Sequence, residues 1–151
     1  MVGGPRSDWR YPTKGLYRRA TKAHAHCDLY SGVYDPAQAK IEAMSVWKSA
    51  QKFHDSDDDV FRDRAILIKE KQAELVKHHL AVLWTDFFTP DHRQEFPQLD
   101  DLFWRAINQA GVAKKSMDPA EGEKLVGLID DIAEVFWKTE KAKGMGVYPP
   151  A

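Results

Sequence analysis

Apolar side chains recur at every third or fourth position in the last quarter of the chain, and this spacing constrains the fold more than any other feature. Such a repeat puts one apolar stripe on a helix and gives a strand no continuous face. The same period appears in three earlier stretches, and no strand pattern competes with it. The clearest repeat consists of Leu125, Leu128, Ile129, Ile132, Val135 and Phe136.

Two of the predicted helices begin at an Asp-Pro pair. In Asp35-Pro36-Ala37-Gln38 the aspartate is a good N-cap, the proline suits the first helical position, and the glutamine stands where a capping box needs it. Asp118-Pro119-Ala120-Glu121 repeats this arrangement. These signals predict a first helix that runs to about Phe53 and a last helix that begins near Pro119.

The second helix is predicted from about Asp58 to Phe88, because the acidic cluster at 57–59 suits a helix N-terminus and Thr89-Pro90 ends the pattern. A third helix is predicted from about Pro97 to Ala110. The predicted buried faces of these two helices consist of Phe61, Ala65, Ile68, Leu75, His79 and Val82, and of Leu99, Leu102, Phe103, Ala106 and Ile107.

Short connections between long amphipathic helices make neighbours antiparallel, so we predict an all-α fold, an up-and-down antiparallel four-helix bundle with a flexible N-terminal loop. The predicted organisation is a leader or propeptide at 1–25, a loop at 26–35, the bundle at 36–143 and a flexible tail at 144–151. With 151 residues, a single domain is the simplest arrangement.

Composition excludes several function classes. A net charge of −1 gives no basic face for nucleic acid. No apolar run approaches the roughly 20 residues of a membrane span. The single cysteine excludes an internal disulfide, and residues 1–25 lack the apolar core of a secretory signal. We therefore expect a cytoplasmic protein.

The chemistry is concentrated in the loop, where the only cysteine, Cys27, follows His26. A thiolate beside an imidazole can hold copper, nickel or zinc, although a lone cysteine is more often a small buried hydrophobe. His24 would add a third ligand if the leader is kept, and His₂Cys resembles mononuclear copper sites. The alternative interpretation, which has equal weight, is that His24 belongs to a leader that is removed.

Three further histidines and three tryptophans are predicted to have structural roles. His79 lies on the apolar stripe of the second helix and is interpreted as a hydrogen-bonded core histidine. His54 and His92 stand at helix ends and are interpreted as surface or cap residues. The tryptophans predicted to lie in the core are Trp84, Trp104 and Trp137.

Several sequence blocks carry a family resemblance. They are HCDLxxGVYDPAQAxIEA from His26, KExxxELxKHHxxVLWxDxFxPxH from Lys69 to His92, and DPAxGxK from Asp118 to Lys124, followed by Phe136-Trp137. Over residues 26–142 the chain resembles the nickel superoxide dismutases. The resemblance implies a helical bundle, a flexible metal-hook-like loop at 26–35, cleavage before His26 and a homohexamer.

The resemblance also implies a ligand set. In the family the metal is held by the N-terminal amine, the first imidazole, the amide and thiolate of the next cysteine, and a second thiolate. Here this set carries over to His26 and Cys27 as metal ligands, while Ser31 occupies the place of the second thiolate. A serine hydroxyl stays protonated near neutral pH and is a poor nickel ligand.

Around these ligands the resemblance implies further roles. Asp28 and Tyr34 are retained and are the expected catalytic residues. Glu42 matches the glutamate that orients the axial imidazole, but the arginine that supports it is Gln72 here. In the substrate channel, a tyrosine is replaced by Phe87 and a lysine by Thr89, which reduces the attraction for an anion.

The altered ligand set predicts a metal-binding redox protein of this fold, with copper favoured over nickel. Its role would be electron transfer, metal holding or dismutation, and its partner would be superoxide or an electron-transfer protein. Whether the chain is an enzyme stays open. The alternatives are an active nickel superoxide dismutase and a metal-free structural relative without catalysis.

Overall fold

In the computed structural model, residues 34–143 are described, and they form long antiparallel helices with short helical connections. We label these helices α1 to α6 in chain order. Their bounds are α1 Ala37–His54, α2 Asp59–Val82, a π-helix Leu83–Phe87, α3 Pro90–Glu95, α4 Leu99–Lys115, α5 Pro119–Lys138 and α6 Glu140–Lys143. The predicted all-α bundle is confirmed. The predicted tail at 144–151 lies outside the described residues.

The helix starts follow the predicted capping signals closely. Asp58 Oδ1 accepts hydrogen bonds from the backbone N–H groups of Val60 (2.9 Å) and Phe61 (3.4 Å). Asp118 caps α5 in the same way through the N–H of Ala120 (2.9 Å). At α1 the Asp35 carboxylate accepts from the Ala37 N–H (2.8 Å). The acidic residues before these helices therefore accept hydrogen bonds from N–H groups that have no partner within the helix, as N-caps do.

The four long helices form a closed ring in which α1 contacts α2 and α5, and α4 contacts the same two helices. The α1–α2 and α4–α5 connections lie at one end, where His54 Nε2 is 2.8 Å from the carbonyl oxygen of Met117. The opposite end contains the start of α1, the π-helix, α3 and α6. We call it the Tyr34 end, because Tyr34, the first described residue, packs there against the π-helix.

The predicted buried faces of the third and last helices are largely correct. All six predicted core residues of α5 are buried, as are Leu99, Leu102, Phe103 and Ala106 of α4, while Ile107 is half-buried. Helix α4 extends to Lys115, beyond the predicted end at Ala110. Trp104 is 67% exposed, so its predicted place in the core is wrong.

The predicted face of α2 is wrong in part. Phe61 and Ile68 are exposed by 41% and 47%, and the buried face of α2 consists of Ala65, Lys69, Ala73, Val76 and Leu80. Small alanines and a lysine occupy core positions here, so the most hydrophobic residues no longer mark the inner side. The helix also changes to a π-helix after Val82, which the predicted continuous helix to Phe88 did not include.

Lys69 is a charged residue in the centre of the fold, with 1% of its surface exposed. Its Nζ donates to the backbone carbonyls of Ala113 (2.8 Å), Lys114 (2.5 Å) and Ser116 (2.7 Å). These carbonyls belong to the C-terminal end of α4, where the helix leaves acceptors unpaired. Desolvation by burial lowers the pKa of Lys69 below its ordinary value. The lysine therefore caps α4 from a neighbouring helix.

None of the helices within residues 34–143 has the length and apolar character needed to cross a membrane.

Candidate functional site

The predicted metal ligands His26 and Cys27 lie outside the described residues, as do His24, Asp28 and Ser31. Within residues 34–143, no group of three His, Cys, Asp or Glu side chains is arranged to hold a metal ion. The described residues show instead the Tyr34 end of the bundle, whose first residue follows the segment that carries the predicted ligands.

Tyr34 is the first described residue after that segment, and only 7% of its surface is exposed. Its ring packs edge to face against Phe87, with the ring centroids 5.8 Å apart. Phe87 is fully buried and also contacts Phe136 of α5 at a centroid distance of 4.3 Å. The ring of Tyr34 is thus held by Phe87 of the π-helix, which in turn packs against α5.

Glu42 lies on α1 and is 4% exposed, so its carboxylate needs partners inside the protein. Gln38 Nε2 donates to Glu42 Oε1 (3.0 Å), and His79 Nδ1 donates to Glu42 Oε2 (2.7 Å). Because the carboxylate is the acceptor, Nδ1 carries the ring proton. Both oxygens are therefore fixed, and the carboxylate has one orientation between α1 and α2.

These contacts revise how Glu42 is supported. Gln38, which the sequence predicted to complete a capping box, gives its side-chain amide to Glu42 one turn later. The hydrogen-bonded core role predicted for His79 is confirmed. Gln72 lies on the same helix as His79, seven residues earlier and half-buried. Among the described residues the partners of Glu42 are Gln38 and His79, so Glu42 is held without the arginine that the resemblance expected at position 72.

The π-helix Leu83–Phe87 and the residue after it place two consecutive phenylalanine rings in the interior at the Tyr34 end. Phe87 is 0% and Phe88 is 7% exposed, and their rings meet edge to face at 5.0 Å. Phe88 follows the π-helix in an extended conformation, so its side chain does not continue the helical rotation of about 100° per residue. Short π-helices are frequent at functional sites. No signal in the sequence other than the Thr89-Pro90 stop points to this one.

Thr89 has a structural role of its own. Its hydroxyl accepts from the His92 N–H (3.4 Å), and His92 Nδ1 accepts from the Thr89 N–H (3.2 Å). This reciprocal pair is a capping box at the start of α3. The cap role predicted for His92 is confirmed. Thr89, at the position where the resemblance expected a channel lysine, begins a helix that the sequence analysis did not predict.

Lys141 is a residue at this end that the sequence analysis missed. It lies on α6, and its Nζ is 4.6 Å from the centroid of the Phe87 ring and 5.3 Å from that of Tyr34. Only the three-dimensional structure brings together three residues so far apart in the chain.

Residues 21–140 match the sequence profile of the family described as nickel-containing superoxide dismutase. The chain belongs to this family. It is 49% identical to superoxide dismutase [Ni] of Streptomyces seoulensis over 127 residues, which is 84% of this chain and 97% of the relative. It is 46% identical over the same length and coverage to superoxide dismutase [Ni] of Streptomyces coelicolor.

Solved structures of nickel superoxide dismutase share the fold. The native enzyme matches with a TM-score of 0.74 and 48% identity, covering 76% of this chain and 99% of that chain. A structure with nickel ligation of the oxidized state matches with a TM-score of 0.74 and 50% identity, covering 78% and 100%. These relatives are named for nickel, and the copper preference predicted from the sequence finds no support among them.

Proposed function

We propose that this protein is a nickel-dependent superoxide dismutase with His26 and Cys27 as metal ligands. Family membership supports this function, and the arrangement of Glu42 is the structural observation that carries it. A buried carboxylate with both oxygens fixed, near the entry of the ligand segment, suits a residue that orients a metal-bound imidazole. Held by His26 and Cys27, nickel would supply the one-electron redox couple for converting two superoxide ions and two protons to O₂ and H₂O₂.

The donor set suits nickel in type but is one thiolate short. Imidazole nitrogen and thiolate sulfur are donors that nickel and copper both accept. Ser31 offers only a hydroxyl in place of a second thiolate. We propose that Cys27 and the nitrogen donors are sufficient to hold nickel, and that Ser31 limits how well the metal cycles.

Tyr34 and Asp28 are the proposed catalytic residues. The buried ring of Tyr34 is fixed by Phe87, which gives its hydroxyl a defined position at the entry of the ligand segment. We assign Tyr34 the ordering of the water that delivers protons to the reduced oxygen species. Tyr34→Phe keeps the ring packing and removes the hydroxyl, so it separates these two contributions.

The test is superoxide decay measured by stopped flow with the metal-free, nickel-loaded and copper-loaded protein. The full chain and a chain that begins at His26 are assayed in parallel, because the resemblance implies cleavage there. We expect turnover with nickel only, its loss in Cys27→Ser, and an increase in Ser31→Cys. His24→Ala in the full chain shows whether His24 takes part.

Other results would replace this proposal. Turnover that requires copper would restore the copper interpretation. Metal binding at Cys27 without turnover would indicate electron transfer or metal holding, with a protein partner. Absence of both binding and turnover, in a folded protein, would identify a metal-free structural relative.

A homohexamer remains a proposal drawn from the resemblance. The described surface exposes several large apolar side chains, which further copies of the chain would cover: Val60 (69%), Leu67 (67%), Ile68 (47%) and Trp104 (67%). Sedimentation velocity tests this directly, and a monomer at micromolar concentration would contradict it.

A further inference from the structure

Lys141 places a positive charge next to two buried aromatic rings at the Tyr34 end. Tyr34 and Phe87 are 7% and 0% exposed, whereas the Lys141 side chain is exposed. Its ammonium therefore lies on the surface directly above the ring of the proposed catalytic tyrosine, at 5.3 Å from the centroid. Ammonium groups at this distance from an aromatic face are attracted to it, which restricts where the charge can move.

The position of Lys141 is fixed by the turn that precedes it. The Thr139 hydroxyl donates to the carbonyl of Phe136 (2.8 Å) and accepts from the Ala142 N–H (3.3 Å). Thr139 and Ala142 are both fully buried. Since Phe136 also contacts Phe87, the start of α6 is tied to the same aromatic cluster that holds Tyr34. Lys141 lies between these two anchored residues.

The neighbouring lysines are paired with carboxylates, and Lys141 differs from them. Lys143 Nζ bonds to Glu140, and Lys138 Nζ lies 3.9 Å from Glu134. No carboxylate among residues 34–143 forms an ion pair with Lys141. Its positive charge is thus not neutralised locally by a described residue and is available to attract an anion.

We propose that Lys141 supplies the positive charge that draws superoxide to the Tyr34 end of the bundle. This inference rests on the proposed dismutase function. Lys141 would then replace the charge that is missing at position 89, where the resemblance expects a lysine and where Thr89 caps α3 instead. A fixed charge at the mouth of a site raises the local concentration of an oppositely charged substrate, and salt screens this effect.

The first test is the ionic-strength dependence of the superoxide rate constant of the nickel-loaded protein. Lys141→Gln removes the charge, Lys141→Arg keeps it, and Lys143→Gln is the matched control on the same helix. We expect Lys141→Gln to be about threefold slower at low salt and to approach the wild type at high salt. Lys141→Arg and Lys143→Gln should retain the wild-type salt dependence.

The second test reports the local charge without any turnover. Proteins with ¹³C-labelled tyrosine are mixed with a cationic or an anionic nitroxide of similar size, and Tyr34→Phe assigns the Tyr34 signal. We expect the anionic probe to relax the Tyr34 ring protons more strongly than the cationic one. This preference should shrink in Lys141→Gln and persist in Lys143→Gln.

The two tests separate the inference from the function on which it rests. If the nickel-loaded wild type does not consume superoxide, the proposed function fails, and the nitroxide measurement still decides whether Lys141 sets the local charge. If the wild type is active but Lys141→Gln matches Lys143→Gln in salt dependence and in probe preference, the role of Lys141 is refuted.

Discussion

Lys69 and Glu42 are charged side chains buried among residues 34–143, and they are stabilised in different ways. Lys69 donates only to backbone carbonyls, at the end of α4. Glu42 accepts from side chains, Gln38 on its own helix and His79 on α2. Lys69 contacts the C-terminal end of α4, whereas Glu42 lies in the first half of α1 and contacts α2.

The difference distinguishes contacts that stabilise the bundle from contacts that orient a residue of the proposed metal site. Backbone carbonyls are present whatever the sequence of α4, so the cap by Lys69 depends on one residue alone. The partners of Glu42 are side chains that substitution can exchange, and Gln38 and His79 hold it without the arginine that the resemblance expected at position 72. A site built from side chains can therefore change its chemistry while the bundle persists.

The largest effect on stability is expected for Lys69→Met. The substitution leaves carbonyls at the end of α4 buried and without a donor, which should lower the free energy of unfolding by about 3 kcal/mol. Chemical denaturation measures this. Lys71→Met, an exposed lysine on the same helix, is the control and should cost less than about 0.5 kcal/mol. Equal effects of the two substitutions would show that the cap contributes little.

Glu42→Gln tests the other half of the comparison and should act mainly on the site. Losing the carboxylate that orients the ligand is expected to weaken nickel binding or turnover by about 10- to 100-fold. The fold should remain, since a glutamine of similar size can keep part of the contacts to Gln38 and His79. Nickel titration and superoxide decay report the change. Unaltered metal affinity and rate would mean that Glu42 is structural only.

Thr89→Ala examines a residue at the Tyr34 end whose partner is the backbone. Loss of the capping box on α3 should lower stability by about 1 kcal/mol, with no effect on the superoxide rate per nickel. Thr85→Ala is the matched control, because the exposed Thr85 hydroxyl makes only local bonds, to the Ala81 carbonyl (3.0 Å) and to Asp86 Oδ1 (2.7 Å). A large drop in rate with stability retained would give Thr89 a role in the site.

Gln72→Arg should have the smallest effect. Both oxygens of Glu42 already have partners, so a restored arginine has little left to orient. We expect a change in stability within about 0.5 kcal/mol and a change in rate below about threefold. A tenfold gain in the superoxide rate would contradict this expectation. It would show that Gln38 and His79 orient Glu42 less well than an arginine at position 72 does.

The sequence predicted those parts of the fold that depend on local signals. Asp58 and Asp118 mark helix starts by their own hydrogen-bonding chemistry, and the face of α5 follows from a regular apolar repeat. The face of α2 was misassigned because Lys69 and alanines fill its core positions. Hydrophobicity alone cannot identify a lysine that is buried to cap another helix.

At the site, the resemblance directed attention to Tyr34 and Glu42, but their partners required the structure. The pair His79–Glu42 joins residues 37 positions apart. The contact of Lys141 with Tyr34 joins residues near the two ends of the described chain. No local pattern encodes such proximities. The predicted ligands His26 and Cys27 rest on sequence alone.

The most direct test of the account is the metal content of the purified protein after nickel and copper are offered in equal amounts. We predict close to one nickel per chain in the wild type, and loss of that nickel in Cys27→Ser with the helical content unchanged. Nearly stoichiometric copper, or nickel that persists without Cys27, would contradict the proposed nickel site.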